Sequence, residues 1–408
     1  MKFLTASAVT VSLLFMAVLG TADYFTPDSY AVTEGGSPPL RLSNALSVVC
    51  SGSEDVSTIS GDTVSPKSYD AQLMLYGKIP LKAVRVSIVD QTSVVLCGKP
   101  FGIRMFTNGV VIVGLADIKD GSDTFNPALE AGLKTGDVIT AINGKPVFKN
   151  TEVQQAIEKC SGSPLKFTVR RDGTNLNVSV RPVRSENDGL YKAGLWVRDS
   201  TAGIGTLTYY DPVTESFAGL GHGICDTDTG QLMPLLSGDI VPVTINGIAR
   251  GRKGSPGELR GYFSEDTAIG TLLENVPTGV YGSLASPLGG TAIKTAMKQE
   301  VKTGPVKILT TVQGSIPQYY SAEIEKIDYR DCAQSKNMVV RITDKNLLKQ
   351  TGGIVQGMSG SPIVQDDKLV GAVTHVFVND PTCGYGIFAE NMLEESRSSV
   401  LKEDRKVS

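Results

Sequence analysis

The sequence predicts a mainly β chain in which a small α+β unit precedes a larger β-barrel unit. Three observations predict it. Glycine (44) and proline (20) punctuate a chain that is 41% hydrophobic, a mixture that interrupts helices and favours short strands joined by turns. One segment, residues 96–185, combines strand-like runs with two short helical periods. The second half repeats short apolar runs, among them Ile204–Tyr209, Asp239–Ile245 and Met338–Ile342, broken by Gly, Pro and Asp at barrel-like spacing.

Length and charge bound the rest. At roughly 150 residues per domain, 408 residues imply two or three domains. A net charge of −3 from 39 basic and 42 acidic side chains gives no footprint for nucleic acid. The two histidines, His222 and His375, exclude a three-histidine zinc site, so neither metal nor cofactor is expected. The six cysteines include no Cys-x-x-Cys pair, which argues against a zinc ribbon. Disulfides and free thiols both remain open.

At the N-terminus, Lys2 precedes an apolar stretch from Phe3 to Leu19 and the small residues Gly20, Thr21 and Ala22. This pattern is an export segment, so residues 1–22 are expected as a signal peptide or membrane anchor and the remainder on the far side of a membrane. Residues 23–95 are expected as a flexible Ser/Thr/Gly/Pro-rich stalk, to about Lys67, followed by strands at Leu73–Tyr76, Ala83–Val89 and Val94–Cys97.

Within 96–185, Phe101-Gly102-Ile103 leads to the apolar run Gly109–Val113 and then to Asn126–Leu133, a short helix closed by Gly132. Lys134-Thr135-Gly136-Asp137 turns into the strand Val138–Ile142, and Asn143-Gly144 is a hairpin turn. A helix from Thr151 to Cys160 places Val153, Ala156 and Ile157 on one face, and the strands Leu165–Arg170 and Leu176–Arg181 close the unit around Asp172-Gly173. The run Ala131–Ile139 with Ile142-Asn143-Gly144 resembles a PDZ domain of the bacterial protease type. The resemblance implies a loop at Phe101, Gly102 and Ile103 whose backbone N–H groups hold a peptide carboxylate while the peptide adds a strand beside it. The implied partner is a peptide C-terminus or internal segment.

The second unit, residues 186–408, carries Gly357-Met358-Ser359-Gly360-Ser361-Pro362. Glycines flanking a serine permit a tight turn that exposes the hydroxyl and aims backbone N–H groups at a carbonyl oxygen. Strands at Lys368–His375 and Cys383–Phe388 follow, and a helix is expected at about Thr291–Glu300. The order Gly-x-Ser-Gly-x-Pro, Leu-Val-Gly-x-Val, Gly-Tyr-Gly resembles the C-terminal barrel of chymotrypsin-like serine proteases, which makes the strand bearing Thr374 and His375 the substrate strand. In that chain order the base lies upstream, which favours His222, within Gly221-His222-Gly223, over His375, the other candidate. Gly353, six residues before Ser359, is not acidic, so a preference for Lys or Arg through that position is not indicated.

Taken together, the export segment, PDZ-like unit, Gly-His-Gly and Gly-Met-Ser-Gly-Ser-Pro resemble the stage IV sporulation protein B family of serine peptidases from endospore formers. That resemblance implies a triad of Ser359, His222 and Asp344, with Gly357 and Ser359 supplying the oxyanion N–H groups. Asp226, Asp228, Asp239, Asp331 and Asp380 compete for the acid on spacing alone, and Asp344 also suits a cap on the turn Lys345–Leu348. It further implies cleavage of a regulatory membrane protein and of the chain itself, between forespore and mother cell, upstream of an intramembrane protease and a late sigma factor. An inactive PDZ scaffold and a quality-control protease are the competing readings.

Overall fold

The computed structural model describes residues 26–33, 40–41, 45–50, 68–265, 267–330 and 333–407. The export segment, residues 1–22, lies outside them, as does most of the expected stalk. Among the described residues no helix is long and apolar enough to cross a membrane.

Parts of the stalk are strands. β1 (Ser29–Val32), β2 (Leu40–Arg41), β3 (Leu46–Cys50), β4 (Ser68–Leu75) and β5 (Ile79–Ile88) form one sheet in the order β1-β5-β4-β3-β2. Its core holds Tyr30, Val32 and Val48 against Leu73, Val84 and Val86. Composition predicted a flexible linker here, but the sparse apolar residues cluster on one sheet face and are buried.

β6 (Ser93–Leu96) and the long β7 (Pro100–Leu115) follow. The chain then builds β8 (Ile118–Asp120), β9 (Asp123–Phe125), α1 (Pro127–Glu130), β10 (Val138–Ile142), β11 (Lys145–Pro146) and α2 (Asn150–Lys159). β12 (Leu165–Arg171), β13 (Thr174–Val180), β14 (Val183–Arg184) and β15 (Tyr191–Lys192) complete this unit. Both hairpin turns adopt left-handed backbone, with φ of +49° at Asn143 and Asp172 and +77° at Gly144 and Gly173. Val110, Leu133, Ile139, Val153, Phe167 and Val169 form its core. The buried Asp137 carboxylate accepts from Arg171 Nε (2.6 Å) and Nη2 (2.7 Å) and from Lys134 N (2.9 Å), which fixes the turn entering β10.

β16 (Leu195–Asp211), β17 (Ser216–Gly219), β18 (Leu235–Ala249), β19 (Glu258–Phe263), β20 (Gly270–Val276), β21 (Gly279–Leu284) and β22 (Ala292–Lys294) come next. Pairings β7–β18, β18–β20, β20–β21, β21–β17, β17–β16 and β16–β7 close a ring. The first barrel therefore takes a strand from before the PDZ unit, and that unit is an insertion between two barrel strands rather than a preceding domain. Where a helix was expected at about 291–300 there is β22, paired with β6, and a 3-10 turn at Lys298–Glu300. Thr295 N and Ala296 N donate to Thr92 O and Leu369 O, so neighbouring strands take the donors a helix would use internally.

β23 (Gly304–Thr310), β24 (Gln318–Ile327), β25 (Met338–Ile342), β26 (Pro362–Gln365), β27 (Lys368–Val376) and β28 (Cys383–Phe388) close a second barrel in the order β23-β24-β25-β28-β27-β26. α3 (Lys345–Thr351) leaves β25, and α4 (Ala389–Val407) packs its residues Met392, Leu393, Ser396 and Ser399 across the barrels. Tyr209, Ala218 and Tyr281 of the first barrel meet Leu369, Ala372 and Ile387 of the second in a shared core.

The PDZ carboxylate loop expected at Phe101, Gly102 and Ile103 is not there. Phe101 pairs with Gly205 and Pro242, Gly102 with Ile204 and Val241, and Ile103 with Gly203 and Ile240. Both edges of that strand are occupied, and a Cβ on Gly102 would lie 2.5 Å from the Phe263 ring. A peptide cannot add beside residues already paired on both sides. Because Phe101 is fully buried in the first barrel, Phe101→Ala should cost about 3–5 kcal/mol of stability, read as a lower denaturation midpoint of the whole protease unit rather than as lost peptide binding.

Candidate active site

The Ser359 turn is built from peptide groups with little freedom. A trans peptide points its C=O and N–H in opposite directions, so holding one fixes the other. Gln356 O accepts from Leu259 N (2.8 Å), and Met358 O accepts from Ser361 N (3.0 Å) and Ser361 Oγ (2.6 Å). Those two peptides carry the N–H groups of Gly357 and Ser359. Between them, the Gly357 and Ser359 carbonyls accept from Thr206 Oγ1 (2.7 Å) and Thr206 N (3.0 Å). Gly360 O accepts from Thr208 Oγ1 (2.8 Å). The N–H groups of Gln356, Met358, Gly360 and Ser361 all find backbone acceptors. Among the described residues, those of Gly357 and Ser359 have none. A half-buried turn that leaves two N–H donors two residues apart unpaired has room for an oxyanion.

Ser359 Oγ donates to Thr374 O at 2.5 Å. Thr374 is itself buried, its hydroxyl donating to Ser335 O (2.9 Å), and His375 next to it is exposed. Both residues fall in the irregular stretch between the Val373–Gly386 and Val376–Gly384 pairs, so β28 does not hold them.

His222 lies in the loop from β17 to β18. Leu220 precedes it in left-handed backbone (φ +64°) with its N–H on Thr206 O (3.2 Å), and a Cβ on Gly221 would crowd Thr374 and Ile387. Nδ1 of His222 stands 2.9 Å from Gly223 O. A carbonyl only accepts, so Nδ1 carries the proton and Nε2 keeps the lone pair of a general base. The rings of His222 and His375 lie 4.5 Å apart, tilted by 34°. Desolvation pulls the His222 pKa below its ordinary value, against the Gly223 hydrogen bond. Desolvation, then repulsion from His222 and Lys336, brings His375 down to about 4. Both rings are therefore neutral at neutral pH.

Asp344 stands apart. Its Oδ1 accepts from Asn346 N and Leu347 N, each at 2.9 Å, as the N-cap of α3. No hydrogen bond joins it to His222; the Nδ1 site that a triad carboxylate would occupy is taken by Gly223 O. The structure thus gathers Ser359, Thr374, His375, His222 and the Gly357 donor, and leaves Asp344 at its helix.

Sequence reasoning missed Thr206 and Thr208, and weighed Asp226 only as a competing acid rather than as the anchor of the His222 loop. Asp226 is buried, accepts from Asp228 N (3.0 Å) and Thr229 N (2.9 Å), and pairs with Arg198 of β16. Burial raises its carboxyl pKa, but the two N–H donors and Arg198 together hold it below the usual range. The legible signal for the threonines was two hydroxyls two residues apart within the apolar run Ile204–Tyr209, which puts both on one face.

A PDZ-domain model matches residues 101–181. The zinc metalloprotease RasP of Geobacillus kaustophilus is 35% identical over 121 residues, 28% of this chain and 28% of its own. The serine protease HTRA1 of Xenopus tropicalis is 43% identical over 60 residues, 15% of this chain and 13% of its own. The chain thus spans less than a third of either relative. Among solved structures, an inactive-form mutant of Rv3671c from M. tuberculosis aligns with 48% of this chain and 81% of its own, at 12% identity and a TM-score of 0.29. The PDZ domain of an SdrC-like protein from Listeria monocytogenes aligns with 22% of this chain and 87% of its own, at 23% identity and a TM-score of 0.18. The SpoIVB peptidase S55 model matches residues 189–393, half of the chain and all of the Ser359 turn described above, and the chain belongs to that serine peptidase family.

Proposed function

We propose that the chain is an endopeptidase in which Ser359 attacks a peptide carbonyl. Nε2 of His222 takes the serine proton, and the N–H groups of Gly357 and Ser359 receive the oxyanion. The observation that carries this reading is the pair of unpaired donors beside Ser359 Oγ. Attack requires the serine hydroxyl to leave Thr374 O for His222, a rotation of the kind that substrate binding completes in resting active sites. Asp344, the acid implied by family resemblance, would reach the imidazole only by leaving its cap. The family resemblance further supports a regulatory membrane protein as substrate, with self-cleavage, export to the space between forespore and mother cell, and control of a late sigma factor.

The recruiting partner is an extended peptide, and its place is β16. Leu195–Ser200 pairs with β7 along one edge, and among the described residues no strand occupies the other. α2 lies against that segment, with Asn150 N on Asp199 Oδ2 (2.9 Å). Trp196, the chain's single tryptophan, is exposed there. Titrating a peptide that adds to this edge should shift or quench Trp196 emission; an unchanged spectrum at saturation would remove the assignment.

A fluorophosphonate should label the purified protein at Ser359 and fail to label Ser359→Ala, while casein survives prolonged incubation. Folded wild-type protein that resists labelling would sink the enzyme reading, and general casein degradation would favour quality control. The labelling rate should be flat at neutral pH and fall only below the ordinary histidine value of about 6.5, because the folded base has a depressed pKa. Stability should follow the same sign. The unfolded chain binds protons to His375 between about 6.5 and its folded value of about 4, so the midpoint of denaturation declines as pH falls through that window and is level above it.

A further inference from the structure

We infer that Thr206 is the positioning residue that sets the oxyanion donors, a role resting on the endopeptidase reading above. Thr206 touches the turn twice. Its backbone N–H holds Ser359 O at 3.0 Å, and its hydroxyl holds Gly357 O at 2.7 Å. These are the two peptides that alternate with the donor peptides: the first runs from Gly357 to Met358, the second from Ser359 to Gly360. Each is held at both ends, since Met358 N donates to Val355 O (3.1 Å) and Gly360 N to Val373 O (2.7 Å).

With alternate planes locked, the peptide carrying the Ser359 N–H is bracketed on both sides. The peptide carrying the Gly357 N–H is held through its own carbonyl, Gln356 O, by Leu259 N, and is bracketed by the Thr206 hydroxyl on one side and by the Gln356 N–H on Gly257 O (2.8 Å) on the other. The hydroxyl is the one contact in this set that belongs to a side chain of another strand. Thr206 is 1% exposed, so water does not replace it when it is removed. Left without a partner, Gly357 O would turn to find one, and its plane would swing the neighbouring N–H away from the substrate carbonyl. Gly357 is free to do so, because its φ of +96° lies where glycine alone moves without strain. Thr208 makes the same kind of bond one step beyond the nucleophile, to Gly360 O, and so provides an internal comparison.

The test is fluorophosphonate acylation resolved into kinact and KI for wild type, Thr206→Val, Thr206→Ser and Thr208→Val, with the folded fraction of each fixed by thermal denaturation. Val keeps the shape and the backbone N–H and removes only the hydroxyl. Thr206→Val should lower kinact about tenfold or more, short of the roughly 10²–10³ that follows deletion of a donor itself. KI should stay within about twofold. Thr206→Ser should restore most of the rate, and Thr208→Val should lose less than Thr206→Val. If Thr206→Val does not fold, Thr206→Cys keeps the shape with a weaker donor and should still lower kinact with KI unchanged. A folded Thr206→Val or Thr206→Cys protein with wild-type kinact would overturn the role, as would a change confined to KI. Failure of wild type to label at all would instead overturn the endopeptidase reading.

Discussion

The planarity of five consecutive peptide groups, Gln356 to Gly360, is the constraint on which this active site depends. All five carbonyls in the run are held, by four residues: Leu259 at the start of β19, Thr206 (which holds two) and Thr208 on β16, and Ser361 within the turn itself. The first barrel supplies most of those partners, and Ser359 belongs to the second. The site therefore exists only when the barrels are docked. Gly360 shows how close the docking is, since a Cβ there would stand 2.0 Å from Thr206 O and 2.5 Å from Leu220 N. No side chain fits, and the glycine is required by proximity rather than by the turn alone.

β16 carries the consequence across the molecule. Its first half pairs with the PDZ part of β7, its fourth residue, Arg198, grips Asp226 in the His222 loop, and its far end holds the Ser359 turn. One strand thus touches the insertion, the base loop and the oxyanion loop. A shift of the insertion relative to the first barrel must bend β7 and β16 together, and the registers of both are already irregular between Arg198 and Ser200. A bulge at that point concentrates bending there. Peptide added to the open edge of Leu195–Ser200 would stiffen the same stretch, so the proposed recruitment site and the Ser359 turn share a mechanical element.

How much of this was legible depended on whether the governing contacts were local. The Ser359 turn, β25 to β28 and the hairpins at Asn143-Gly144 and Asp172-Gly173 were readable because glycine, asparagine and aspartate declare their own backbone geometry. Phe101-Gly102-Ile103 misled because a strand opening a PDZ unit and a strand entering a barrel have the same composition; only its partners on β16 and β18, roughly a hundred residues and more away in sequence, decide between them. α4 escaped because Ser396 and Ser399 lie on its buried face, satisfied by Ser216 and Glu274, and so break the apolar period. Gly223 as the partner of His222 was invisible for a simpler reason: every residue has a carbonyl.

Magnitudes decide which resting contact matters. In the proposed mechanism the Ser359–Thr374 hydrogen bond competes with His222 for the serine hydroxyl, and a net hydrogen bond is worth about 0.5–1.5 kcal/mol, a factor of roughly 2–12 in population. Oxyanion donors are worth about 10²–10³ each. Breaking the resting bond is therefore a small toll beside correct placement of Gly357 and Ser359. The neutral histidine pair points the same way. Two imidazolium rings 4.5 Å apart would repel, so in the proposed mechanism charge enters the site only as the transition state forms, when His222 gains its proton and the carbonyl oxygen becomes an anion. With no fixed cation paired to that anion among the described contacts, its stabilisation falls on the two backbone dipoles, and so on the strand that holds them still.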